Sequence, residues 1–316
     1  MECIICQAPS KVLYQNLSDR VHTQVSGEYA LQQCQACSLL FIYPPPSEEK
    51  LQEHYPEDYH VYERKPSKVS ARKASIIKLV ARHCLGYGKS NPLMRFCLLP
   101  LYYKLIHLPN YRQRGRLLDI GCGTGTRLPT FELLGWESEG LEISQKAANI
   151  GQQEGYKIHN GTLDTFDAPK NHYDAIYLNN VFEHFLDPKS SLDKISALLK
   201  PGGQLSLVVP NANSLTFKLF KKDWFGLEVP RHLFTYNKNN LSQLLKSKGY
   251  SVTKVKYCYN FGSFSSSLAL RLNKPLEKFA FIDRLTWLMA FLLDPIMNIF
   301  GIGDWMTIHA SVNKSE

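Results

Sequence analysis

From residue 116 to about 257, short apolar runs alternate with stretches of helical periodicity. The runs "RLLDI", "ESEGLEI", "YKIHN", "YDAIYLN", "GQLSLVVP" and "YSVTKVKY" predict strands, and "MTIHASVN" near the end predicts another. Between them, "SQKAANIGQQ", "SSLDKISALLK" and "NKNNLSQLLKSKG" predict helices. Such alternation means an α/β fold, a mostly parallel sheet with helices on both faces. Upstream, "SARKASIIKLVARH" (70–83) sets Ala74, Ile77 and Val80 or Ala81 at helical spacing, with basic residues between them. "KVLYQNL" and "SLLFIY" read as strands of a smaller piece that "PPP" at 44–46 closes with a stiff break. Three pieces are expected: 1–46, a basic helical segment 47–115, and an α/β domain 116–316 carrying an apolar insert at about 261–303.

The first strand of the α/β domain runs into "LLDIGCGTG", with glycine at 121, 123 and 125. A dinucleotide fingerprint needs G-x-G-x-x-G, but Thr126 or Leu128 stands where the third glycine should fall. A P-loop fails as well, since no Gly-Lys-Ser/Thr follows. Asp119 beside the glycines would repel a pyrophosphate and suits a ligand carrying an ammonium and a sulfonium. Glu142 ends the second strand, where a carboxylate can accept both hydroxyls of a ribose.

With these stretches, "NGTLD" (160–164), "YDAIYLNNVFEHFLDP" (173–188) and "LLKPGGQLSLVVPN" (198–211), the chain resembles the class I S-adenosylmethionine-dependent methyltransferases. The resemblance implies a Rossmann-like seven-stranded sheet with a reversed final hairpin. It implies that Asp119, Gly121, Cys122, Gly123 and Gly125 lie along the methionine end of the cofactor. Glu142 and Ile143 would hold the ribose, Thr162, Leu163 and Asp164 would lie near the adenine, and Asn179 and Asn180 at the methyl-donor end.

Methyl transfer from a sulfonium is an in-line displacement in which positioning does most of the work. An oxygen or carbon acceptor must also lose a proton, for which histidine is suited. His184 follows the fourth strand in "VFEHFLDP", and His232 lies in "WFGLEVPRHLFTY", which should fold over the same crevice. His232 ranks slightly ahead as general base; the plainer alternative for each is a structural histidine. Glu183 either orients its neighbour or caps the next turn, and Arg231 either binds an acidic acceptor group or makes a salt bridge. "PRH" and Trp224 resemble a subset of the superfamily in which this loop helps to cover the acceptor.

Cys3, Cys6, Cys34 and Cys37 form two C-x-x-C knuckles, "CIIC" and "CQAC", a spacing that suits a tetrahedral structural Zn²⁺ in a zinc-ribbon-like module. A redox pair and four plain thiols are the alternatives. Cys84, Cys97, Cys122 and Cys258 are expected to pack as small apolar residues. The Cys₄ module ahead of a methyltransferase core resembles a bacterial subgroup linked to sugar and cell-envelope modification. The resemblance implies a small-molecule, glycan or nucleotide-sugar acceptor, and Tyr14, Tyr55 and Tyr59 are candidates for the acceptor side.

Charge adds one alternative. Residues 61–116 hold 13 Lys and Arg against one acid, Glu63, while the whole chain carries +9. This segment, with apolar 285–300, fits peripheral contact with an anionic membrane and a lipid or quinone acceptor. No nucleic-acid partner is expected, because no recognised module accompanies the charge. No signal-peptide pattern opens the chain, and "FCLLPLYY" and "LTWLMAFLL" are too short to span a bilayer. A cytoplasmic enzyme is expected, placed at the inner membrane face in the lipid version. A catalytically dead scaffold is the reading from outside the enzymes, and it requires that no cofactor bind.

Overall fold

The computed structural model describes residues 1–21, 28–54, 65–103, 105–109, 115–259 and 261–313. Two sheets organise them. The larger contains β4 (Arg116–Ile120), β5 (Glu137–Glu142), β6 (Ile158–Asn160), β7 (Tyr173–Asn179), β8 (Leu199–Pro210), β10 (Tyr250–Cys258) and β11 (Trp305–Val312). Their spatial order is β10-β11-β8-β7-β4-β5-β6. The pairs from β8 to β6 are parallel, and β11 runs antiparallel between β8 and β10. This is the seven-stranded α/β architecture with a reversed strand near one edge that the resemblance implies.

The central strands are apolar on both faces because helices cover both. Leu117, Leu118, Ala175, Ile176, Leu178, Leu205, Leu207 and Val208 are fully buried. Each large side chain so buried contributes about 1.5–3 kcal/mol. The predicted helices start where polar caps allow. The Ser144 hydroxyl accepts from Ala147 N ahead of Gln145–Gln153. Asp187 accepts from Lys189 N and Ser190 N ahead of Pro188–Leu198, and Asn237 with Asn240 forms a reciprocal capping box ahead of Lys238–Ser247. The basic helix is Ala71–Cys84, and it buries Ile77, Val80 and Ala81.

The smaller sheet is antiparallel, in the order β1 (Ser10–Leu17), β2 (Tyr29–Cys34), β3 (Leu40–Tyr43), β9 (Phe234–Thr235). Its fourth strand comes from residues nearly 200 positions later, so the N-terminal piece is stitched to the α/β domain. Sequence patterning missed two of these strands. "YALQQC" lacks clean alternation, and a two-residue strand has no period to read. The apolar insert contains two helices, Phe261–Arg271 and Ala280–Phe300. Among the described residues, no helix is long and apolar enough to cross a membrane.

Cys122 and Cys258 are buried as expected and Cys84 is half-buried. Cys97 corrects the expectation: it is exposed, because its short helix Pro92–Cys97 buries no residue.

Candidate active site at the carboxyl ends of the parallel strands

Strand β4 delivers the chain into the glycine turn. Gly121, Gly123 and Gly125 have φ of +68°, +57° and +82°. A Cβ at Gly121 would come within 2.4 Å of Val181 Cγ2. The turn therefore demands glycine for both conformation and space, since the left-handed region costs other residues about 1–2 kcal/mol. Glu142, at the end of β5, fastens this turn. Its Oε2 accepts from Gly123 N at 2.8 Å and its Oε1 accepts from Ser144 N at 2.8 Å. Burial pushes its carboxyl up, and these backbone N–H groups oppose the shift.

Asp119 is 2% exposed, and its Oδ2 is buried without a hydrogen-bond partner. Burial raises its carboxyl to about 7, with Glu142 adding to the shift and Arg127 opposing it. An unanswered acidic oxygen beside a glycine cradle fits a cationic ligand, and the fit to S-adenosylmethionine is good on both counts.

The rest of the predicted cofactor set gathers along the same sheet edge. Thr162 N donates to Thr165 Oγ1 at 3.0 Å in the turn after β6, with Leu163 half-buried next to it. Asp164 is exposed and paired with Lys194. Ile143 is exposed, and its carbonyl accepts from Asn160 Nδ2 at 3.0 Å. Asn160 also donates to Glu142 O at 3.0 Å, so it braces the β5 end; sequence reasoning passed it over, although it stands in the quoted "NGTLD". Asn179 Oδ1 accepts from Tyr177 at 3.4 Å. Asn180 adopts φ +54°, and its side-chain oxygen is buried without a partner.

A second constellation begins two residues past Asn180, beyond Val181. The turn Phe182–His184 carries Glu183, which is fully buried with neither carboxylate oxygen hydrogen-bonded. Burial raises this carboxyl to about 8. Leu233 N donates to Glu183 O at 2.9 Å, and that bond brings the 225–232 loop across. The His184 and His232 rings meet edge to face, 4.7 Å between centroids. His184 Nδ1 donates to Arg231 O at 2.9 Å, and His232 Nδ1 donates to Gly226 O at 2.8 Å. A nitrogen facing a carbonyl must carry the proton, so the lone pair of each neutral ring is on Nε2. His232 Nε2 is 3.9 Å from Glu183 Oε1 and 3.8 Å from Glu228 Oε2. Burial lowers His184 to about 3 and His232 to about 4, so both rings are neutral at pH 7.

Arg231 points elsewhere. Its guanidinium is buried, donating to Asp19 Oδ2 at 3.0 Å and Glu228 Oε2 at 3.3 Å. Asp19 also accepts from His54 Nδ1 at 2.9 Å. Arg231 thus ties the N-terminal piece to the loop that carries His232. Asp19 and His54 had no motif in the sequence to mark them. Trp224 is a core residue, 2% exposed, that donates to Ser263 Oγ at 3.1 Å. Tyr14 is half-buried against the cluster that contains Trp224, whereas Tyr55 and Tyr59 lie outside the described residues, as do parts of 61–116.

The four N-terminal cysteines converge. Cys3 and Cys37 sulfurs are 3.6 Å apart, those of Cys6 and Cys34 3.4 Å, and all four lie within 4.8 Å of one another. Sulfurs 2.3 Å from a tetrahedral zinc would be about 3.8 Å apart. Asn237 and Asn240 donate to Cys37 O at 3.4 and 3.3 Å, anchoring this knuckle to the helix Lys238–Ser247.

With this geometry in view, sequence comparison is informative. The sequence model of a family described as a methyltransferase domain matches residues 98–255, half of the chain. A ubiquinone biosynthesis O-methyltransferase of Aromatoleum aromaticum is 27% identical over 132 residues, 39% of this chain and 56% of that protein. One from Cereibacter sphaeroides is 28% identical over 169 residues, 49% of this chain and 68% of that protein. Among solved structures, a Thermotoga maritima S-adenosylmethionine-dependent methyltransferase, described as a possible histamine N-methyltransferase, matches with a TM-score of 0.47 and 19% identity. That match covers 80% of this chain and 99% of the other. The chain belongs to the methyltransferase-domain family and is an S-adenosylmethionine-dependent methyltransferase.

Proposed function

We propose that the protein methylates an oxygen or carbon of a small hydroxylated acceptor of the glycan or nucleotide-sugar type. The observation that carries this reading is the cluster of buried Glu183 and His232 with half-buried His184 at the carboxyl end of β7, next to the glycine turn. S-adenosylmethionine supplies an electrophilic methyl group on a sulfonium. Asp119 and the 121–125 turn hold the cationic end, Glu142 and Ile143 the ribose, and Thr162, Leu163 and Asp164 the adenine. Asn179 and Asn180 border the reacting end. His232 takes the acceptor proton on Nε2, with His184 as the second candidate, and Glu183, 3.9 Å from that nitrogen, orients the ring. Arg231 positions His232 through its ion pairs rather than touching the acceptor. The three pieces 1–46, 47–115 and 116–316 divide these tasks, with Cys3, Cys6, Cys34 and Cys37 holding a structural zinc in the first.

A second reading has a quinone or related lipid acceptor, and it is favoured by the likeness to ubiquinone biosynthesis O-methyltransferases. Contact with an anionic membrane through 61–116 and 285–300, at the inner face of the cytoplasmic membrane, belongs to it. Labelled methyl transfer from S-adenosylmethionine, tested on nucleotide sugars and on a polyprenylated hydroxybenzene in detergent, separates the two. Transfer to the sugar alone supports the first reading and transfer to the lipid alone overturns it. Flotation with anionic vesicles at low salt gives the same division without turnover.

A further inference from the structure

Glu183 presents an energetic problem that a proton relay alone does not solve. A carboxyl group with no exposure, helped only by the Val181 and Glu183 backbone N–H groups and with neither of them in full hydrogen-bond geometry, costs the fold several kcal/mol if ionised. Opposite it stand two imidazoles whose N–H groups are both fixed on backbone carbonyls. That is the outer-shell arrangement of metal-binding histidines: one nitrogen donates to a carbonyl, which sets the tautomer and turns the other toward the ion. One ring nitrogen of each histidine and one carboxylate oxygen of Glu183 all lie within 4.8 Å of one another. Two ligands about 2.1 Å from a tetrahedral ion are about 3.4 Å apart, so the 3.9 Å between His232 Nε2 and Glu183 Oε1 closes with a shift of half an ångström.

We propose that Glu183, His184 and His232 form a binding site for a divalent first-row cation, with open coordination positions facing the acceptor. Two imidazoles and a carboxylate without sulfur suit Mn²⁺, Fe²⁺, Co²⁺ or Zn²⁺, and three protein ligands are the pattern of a site that works on a substrate. The Cys₄ cluster at the N-terminus differs in kind, with four sulfurs and no position to spare. The inference rests on the reading that this cluster meets the acceptor, and it deepens it. With the cation in place each Nε2 lone pair would be a ligand, so His232 would act on the acceptor through the ion in place of the base role given above; the ion would make an acceptor hydroxyl more acidic, and its proton would pass to water. The alkoxide oxygen then forms the new C–O bond as the C–S bond breaks, its electron pair leaving on sulfur. The acceptor class narrows to hydroxyl compounds, with neighbouring oxygens that chelate favoured.

Mn²⁺ is the appropriate probe because it prefers nitrogen and oxygen ligands over thiolates. The protein, with its cysteine site kept loaded with zinc, is dialysed into metal-free buffer and titrated with Mn²⁺, followed by electron paramagnetic resonance and calorimetry. A Mn²⁺-soaked crystal is then examined for an anomalous difference peak. One ion per chain is expected, with its peak between the three side chains. E183Q and H232A should each weaken Mn²⁺ by more than about tenfold while binding S-adenosylhomocysteine like the parent, which shows that they are folded. No Mn²⁺ at millimolar concentration, a peak elsewhere, or equal affinity in the variants would overturn the site. Loss of methyl transfer in H232A with no Mn²⁺ bound would leave the base reading standing and remove only the metal. Weakened Mn²⁺ with unimpaired transfer in both variants would overturn the ion's place at the acceptor together with the base reading.

Discussion

Asp119→Asn separates what the site costs the fold from what it gives the cofactor. The change is nearly isosteric and removes only the ability to ionise. The buried Asp119 carboxyl is raised from its ordinary 3.8 to about 7. Below about pH 4 both folded and unfolded chains hold this proton. Between about 4 and 7 the unfolded chain releases it while the folded one keeps it, so stability falls with rising pH and then levels off. At about 1.4 kcal/mol per pH unit, the penalty at pH 8 is on the order of 4 kcal/mol. A buried amide loses about 1–2 kcal/mol of hydrogen bonding in exchange, leaving a net gain of about 2 kcal/mol. Differential scanning calorimetry at pH 8 should then show a Tm higher by about 3 °C, with a flatter pH slope between 4 and 7. Binding moves the other way, since a charged hydrogen bond to the cofactor is worth about 1.5–3 kcal/mol. Titration calorimetry should show S-adenosylmethionine bound about 10- to 150-fold more weakly. A variant with parental affinity and an unchanged pH slope would refute the role given to this carboxyl.

The other predictions concern separate parts of the molecule. Gly121→Ala forces a side chain into φ +68° and within 2.4 Å of Val181, and thermal unfolding should show a loss of more than about 2 kcal/mol together with weakened cofactor binding; a Tm within a degree of the parent would contradict the packing argument. His232→Ala should lower kcat for methyl transfer by about 10²- to 10⁴-fold with cofactor affinity intact, and unchanged turnover in both it and His184→Ala would remove the pair from the chemistry. Cys34→Ser should remove one equivalent of zinc per chain and unfold the β1–β3 sheet at lower temperature; a zinc content equal to the parent's would show that Cys34 holds no metal. Arg231→Met breaks buried ion pairs to Asp19 and Glu228, so a loss of about 3–5 kcal/mol is expected in denaturant unfolding.

How much of this was legible in the sequence depended on whether the signal was local. All seven strands of the large sheet were read from the sequence: β4, β7 and β8 as apolar runs because they are buried on both faces, and the edge strands β6 and β10 without that help. The glycine turn was equally plain, since residues 119–125 carry their own conformational demand. β2 and β9 were missed because their identity is set by partners. Leu40 and Phe41 pair with Thr235 and Phe234, and nothing within residues 234–235 says so. The histidine pair was found from motif position, but its shared tautomer depends on the carbonyls of Gly226 and Arg231. The assignment of Arg231 was open for the same reason: its principal partner, Asp19, lies 212 residues away. Chemistry carried by one turn could be read, whereas chemistry assembled from three turns needed the fold.

The central claim is that the glycine turn and the Glu183–His184–His232 cluster serve one reaction. A crystal structure with S-adenosylhomocysteine bound tests it most directly. The account predicts ribose hydroxyls on Glu142, the adenine beside Thr162 to Asp164, and the sulfur directed at the two imidazoles across a gap that admits an acceptor about 3–3.5 Å from the transferred methyl. A sulfur directed away from both rings, or walled off from them by protein, would contradict it.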